Sequence, residues 1–149
     1  MGCSLSIFFS HQTNVDCAKG DAALVLTATP ISFKVDRDTR TVYTTAHGVI
    51  PVDDFVAHAH ELVNAGVFAY PHLIDARRAH LKISAVDVHK LVSLNKGLRK
   101  SHGPAKTAFV VNRPVDFGLM RMYELLVGEH DHGFAVFYDI NHAEQWIFS

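Results

Sequence analysis

Cysteine is scarce in this sequence: only Cys3 and Cys17 are present, both near the start. No disulfide can therefore staple the body of the fold, and a reduced setting is expected. Charge of one sign is also missing, since 14 Lys and Arg stand against 15 Asp and Glu. That balance excludes the broad basic surface used against nucleic acid or an anionic membrane. No apolar run reaches the roughly 20 residues of a membrane-spanning helix, and no basic segment precedes an apolar stretch at the start as in a secretory signal. A cytoplasmic protein without a membrane span is expected.

Catalytic and cofactor signatures are absent as well. There is no GxSxG elbow, no GxGxxG turn and no Walker-type loop, so neither an activated serine nor a nucleotide cradle is visible. The segment HAHELVN begins like the zinc-binding HExxH helix, but Asn64 stands where the second histidine is required. No enzyme activity, cofactor or metal is expected.

What is present is a chain of 149 residues with 48% apolar content, enough for one domain that buries roughly 70% of its unfolded surface. Residues 1 to 30 have weak periodicity and read as an appendage, with ALVLTAT as a short strand. The start MGCSLS fits the acylation pattern, with Gly2 and Cys3 as acceptors. From Ile31 the signals become regular. ISFKVD and TVYTTAH flank DRDTR and read as an antiparallel hairpin that Gly48 ends.

A helix is predicted from Pro51 to about Asn64, with Asp53 and Asp54 in its first turn and Phe55, Ala59, Leu62 and Val63 along one side. HLIDA follows as a short strand. Ser84 and Asp87 have the spacing of a capping box that opens the next helix, which Gly103 and Pro104 close. KTAFVVN, a helix from Pro114 to about Val127, the strand GFAVFYD and the helix HAEQWI complete the order. Alternating helices and strands after a hairpin predict an α/β fold, with a mostly parallel sheet, one antiparallel strand and about four helices.

That order, carried by LIDAR, ISAVDVHKL, KTAFVVN, FGLMRMYELL and VFYDINHAEQWI in succession, resembles the SpoIIAA-like members of the STAS superfamily, the anti-sigma-factor antagonist fold. The resemblance covers about residues 31 to 148. It implies a regulatory domain that binds another protein or pairs with itself as a homodimer. It also places Ser84 near the phospho-acceptor position of the switching members, although the DSSG-type motif reads KISAVD here. A plain helix cap by itself explains a serine there and is the first reading of Ser84, with the switch second. A second function class is a small-ligand or lipid carrier, because CRAL-TRIO-type domains have been likened to this superfamily.

Three groups of site residues follow. In an open α/β sheet, ligands meet the carboxyl ends of parallel strands. Those ends are expected to carry Asp75, Arg77, Arg78, Asn112, Arg113 and Asp139, which suit a small anionic or amphiphilic ligand, although an ion pair of Asp75 with a neighbouring arginine that organises the loops is the first reading of these charges. On the helix from Pro114, Phe117, Met120, Arg121 and Glu124 are expected on the outward face, as a protein contact or equally as a seat for the N-terminal appendage, with Leu119, Met122, Tyr123 and Leu126 against the sheet. The eleven histidines, including His130 and His132, are expected at the surface or in caps.

Overall fold

The structure, a computed structural model, describes residues 30 to 128 and 133 to 149. The ALVLTAT strand, the acylation pattern, both cysteines and the HDH cluster lie outside the described residues. The hairpin is β1 (Ile31–Asp36) and β2 (Thr41–Pro51). Its turn is set by Asp36, whose Oδ1 accepts the Asp38 and Thr39 N–H groups, and by Arg40 at φ 54°. Then follow α1 (Val52–Asn64), β3 (His72–Lys82), α2 (Ala85–His102), β4 (Thr107–Val110), α3 (Pro114–Val127), β5 (Phe134–Phe137) and α4 (Ile140–Ile147).

The five strands form one sheet in chain order, antiparallel between β1 and β2 and parallel elsewhere. A strand order that advances in one direction puts all three crossover helices on one face. There Ile74, Phe109 and Val136 of the sheet pack with Val88 and Val92 of α2 and with Met120 and Tyr123 of α3. Beside them Phe33 and Val42 pack with Leu62 of α1. The alternate residues Leu73, Ala108 and Val110 point the other way, against Ala143 and Ile147 of α4. The fold is α/β with a mostly parallel sheet and one antiparallel strand, as the order of elements predicts.

Two expectations are corrected at the centre of the sheet. Gly48 does not end β2: it takes φ 80° and the strand continues to Pro51, with Gly48 opposite Ala79. Likewise β3 is eleven residues long and not the short HLIDA segment, because Ala76, Ala79, Leu81 and Ile83 still bury their side chains after an irregularity beyond Thr45 and Asp75. β4 ends at Val110, opposite Asp75, so the far half of β3 has no strand on that side. The start of α3 takes its place. Asp116, 1% exposed, accepts the Leu81 N–H at 3.4 Å, and its other oxygen lies 3.5 Å from Arg113 Nε. An unpaired strand edge is thereby tied to a helix terminus.

The outward face of α3 is also corrected. Met120 is 3% exposed and belongs to the core, on the stripe Asp116, Met120, Tyr123 and Val127. Leu125 is instead exposed, and Leu119, Met122 and Leu126 are only half-buried. Phe117 packs partly on the core and stacks on Tyr138, with ring centroids 4.4 Å apart. Arg121 and Glu124 pair with each other along the helix. The docking of Asp116 on β3 rotates the helix, so the stripe falls about one residue position from the face that hydropathy alone selects.

Candidate functional site

The strand-end residues divide into two groups. Asp75 and Arg77 form a bidentate pair, with Arg77 Nε and Nη2 each donating at 2.8 Å. The Arg77 hydrogen bonds hold the Asp75 carboxyl below its ordinary range, and the pair in turn raises the Arg77 guanidinium. Asp139 stands near enough to act on Arg77 through its charge, while capping α4 by accepting from Asn141 N at 2.7 Å and His142 N at 3.2 Å. Those amide bonds lower the Asp139 carboxyl.

Arg113 belongs to the second group, with His80 Nδ1 and Asp116. Arg77 and Arg78 lie within β3 and not beyond its end, although β4 has stopped by then. Arg78 and Asn112 are exposed. Arg77 is thus occupied by Asp75, and Arg113 is drawn toward α3.

Ser84 is the N-cap of α2. Its Oγ accepts the Asp87 N–H at 3.1 Å, and the Asp87 carboxylate accepts the Ser84 N–H at 3.0 Å. The capping box read from the spacing is formed, with Asp in the role usually taken by Glu. Ser84 is exposed, and Val86 in the first turn is exposed beside it.

A buried histidine pair lies beneath the helices. Thr44 of β2 lies between His58 of α1 and His72 of β3, with Oγ1 3.2 Å from His58 Nε2 and 2.5 Å from His72 Nε2. The histidines are 5% and 6% exposed, and their rings are 5.3 Å apart. Burial pushes His58 down to about 4 and His72 well below its ordinary value, and the neighbouring His58 adds to the effect on His72. Both imidazoles are therefore neutral at pH 7.

A local signal for both was available. His58 is four residues before Leu62 on the apolar side of α1, and His72 is two before Ile74 on the inward face of β3. Their expected surface placement is thus corrected. His60, two residues from His58, is exposed.

The pair lines a cavity of about 120 Å³ between the sheet and α1, α2 and α3. Its remaining walls are mainly apolar, including Phe55, Ile74, Phe109 and Met120, with Asn95 and Tyr123 among the few polar side chains. Among the described residues no group of three or more His, Cys, Asp or Glu is placed to hold a metal ion, and no helix is long and apolar enough to cross a membrane.

No protein-family model and no curated protein matches the chain. Among solved structures it is similar to an uncharacterised protein of the DUF3478 family from Shewanella loihica PV-4, described as having a SpoIIAA-like fold. The TM-score is 0.51 at 19% identity, over 93% of this chain and 99% of that one. The likeness is one of fold.

Proposed function

We propose that this domain acts by binding another protein or a second copy of itself, without catalysis, through the rim at the carboxyl ends of its parallel strands. The observation that carries this reading is the placement of exposed apolar side chains. Val49 lies near the end of β2, Val86 and Val115 lie in the first turns of α2 and α3, and Tyr138 follows β5. In a parallel α/β fold all four positions belong to the same end of the sheet. Apolar and aromatic groups flanked by Arg78 and Arg113 have the composition of a protein contact. The resemblance to SpoIIAA-like domains agrees with such a role.

Ser84 stands on the same rim. Phosphorylation there would add negative charge beside Asp87 and displace the cap, changing the surface offered to a partner. Native mass spectrometry of the protein purified from its own host tests the binding reading. A retained partner chain or dimer that is lost from a Val86→Asp/Val115→Asp variant with unchanged circular dichroism is the expected result. A bare monomer, or association indifferent to these substitutions, refutes it.

A second reading is favoured by the cavity: carriage of a small ligand inside the domain. Its position beneath the helices differs from the strand-end crevice expected for a ligand, where Arg77 and Arg113 are already paired.

A further inference from the structure

β2 and β3 outrun the rest of the sheet. β1 pairs with β2 only as far as Ala46, and β4 stops opposite Asp75, yet β2 and β3 stay paired to Pro51 and Lys82. α4 packs against Leu73, Ala108 and Val110, on the earlier half of the face turned away from the other helices. On the later half Ala46, Ile50, Ala79 and Leu81 point into the helix-covered core, so the residues between them point the other way. These are His47 and Val49 on β2 and Arg78, His80 and Lys82 on β3, all exposed.

This ribbon is cationic and supplies no counter-charge of its own. The two strands hold one carboxylate, Asp75, and Arg77 takes it in a bidentate pair. Asp116 at the start of α3 is buried and faces Leu81 and Arg113. Asp53 and Asp54, next along the chain, open α1 in the layer on the opposite face. The side chains of Arg78 and Lys82 make no hydrogen bond or ion pair among the described residues, and Arg78 acts on Asp75 only through its charge. Between them His80 adds a donor. Its Nδ1 faces Arg113 Nη1, and a guanidinium can only donate, so the ring proton is on Nε2.

The spacing selects the shape of the partner. Alternate residues of a strand recur about every 6.6 Å, so Arg78, His80 and Lys82 form a row roughly 13 Å long. A second extended chain has the same repeat and offers a side chain to each position in turn. Val49 lies opposite His80 and gives the row an apolar flank, as protein contacts have. Resting on the protein-contact reading above, we infer that this face receives an extended acidic segment of the partner, whose carboxylates at alternate positions meet Arg78, His80 and Lys82.

Fluorescence anisotropy of the full chain with the labelled peptide Ser-Glu-Ser-Glu-Ser-Glu-Ser tests this, at pH 7 and low ionic strength because exposed charge pairs are screened by salt. The peptide is expected to bind. Arg78→Glu/Lys82→Glu should weaken it at least about tenfold, through two lost attractions and two new repulsions. Both residues are exposed, so circular dichroism should not change. The same charge change on α2, Lys96→Glu/Lys100→Glu, should alter affinity by less than about threefold. The block peptide Ser-Ser-Glu-Glu-Glu-Ser-Ser should bind more weakly, because neighbouring residues of an extended chain point to opposite sides.

No binding, or an equal loss from the two charge-reversal variants, would overturn the inference. So would equal affinity for the two peptides, or tighter binding of single-stranded DNA of the same charge, which would assign the row to phosphates. The protein-contact reading fails separately. A partner chain that Val86→Asp/Val115→Asp releases while the peptide does not bind leaves that reading standing and removes only the acidic segment; a partner indifferent to both double variants removes both.

Discussion

Lowering the pH from 7 to 5 should weaken the fold through the two buried histidines before any carboxylate interaction is lost. In the unfolded chain His58 titrates at its ordinary 6.5, whereas burial lowers it to about 4 in the fold. The unfolded state therefore binds a proton first as the pH falls, and stability, complete above 6.5, declines until about 4. At pH 5 the unfolded imidazole lies about 1.5 pH units below its titration point, and each unit is worth about 1.4 kcal/mol. His58 alone should then remove about 2 kcal/mol.

Burial, with the neighbouring His58, shifts His72 in the same direction and adds to the loss, and the His58 part alone is an appreciable share of a typical domain's stability. Asp36, Asp75 and Asp139 are lowered, so their contributions disappear only at more acid pH, while burial raises Asp54 and Glu61, which favours the fold slightly on acidification. The window from 7 to 5 belongs to the histidines. Urea unfolding followed by circular dichroism is the assay. With a denaturant slope of roughly 2 kcal/mol per molar, the midpoint should fall by about 1 M from His58 alone, and further with His72. A midpoint that does not move, or a His58→Leu/His72→Leu variant that retains the wild-type pH slope, refutes the burial argument.

Three further outcomes are expected. Met120→Ala should cost about 2 to 5 kcal/mol by leaving a core cavity, whereas Arg121→Ala next to it should stay within about 1 kcal/mol because its ion pair is exposed; thermal denaturation of the two variants separates the core face of α3 from its outer one. Ser84→Ala should lower stability by about 1 kcal/mol through loss of the cap, while Ser84→Asp, which can still cap, should be nearly neutral; chemical denaturation reads the difference. Asp116→Ala should cost about 2 kcal/mol or more, since the Leu81 N–H loses its acceptor and Arg113 its carboxylate counter-charge, and amide exchange at Leu81 should quicken in that variant.

Local pattern was enough for the elements and their order. The hairpin turn is written in Asp36 and its neighbours, the start of α2 in the Ser84 and Asp87 spacing, and the end of α2 in Gly103. Each of these works within a few residues, so nearest-neighbour chemistry decides it. The alternation of helices and strands then leaves few topologies open.

The tertiary structure decided what depends on partners distant in the chain. β3 runs to Lys82 because β2 continues beside it, and Met120 is inside because Asp116 anchors α3 to Leu81. Hydropathy alone cannot reveal either contact. The same holds for the buried histidine pair: His58 and His72 are ordinary histidines in the sequence, and only the packing of helix on sheet brings both to one Thr44 hydroxyl across 14 and 28 positions. Burial then keeps them neutral, an electrostatic consequence of packing that no local motif encodes.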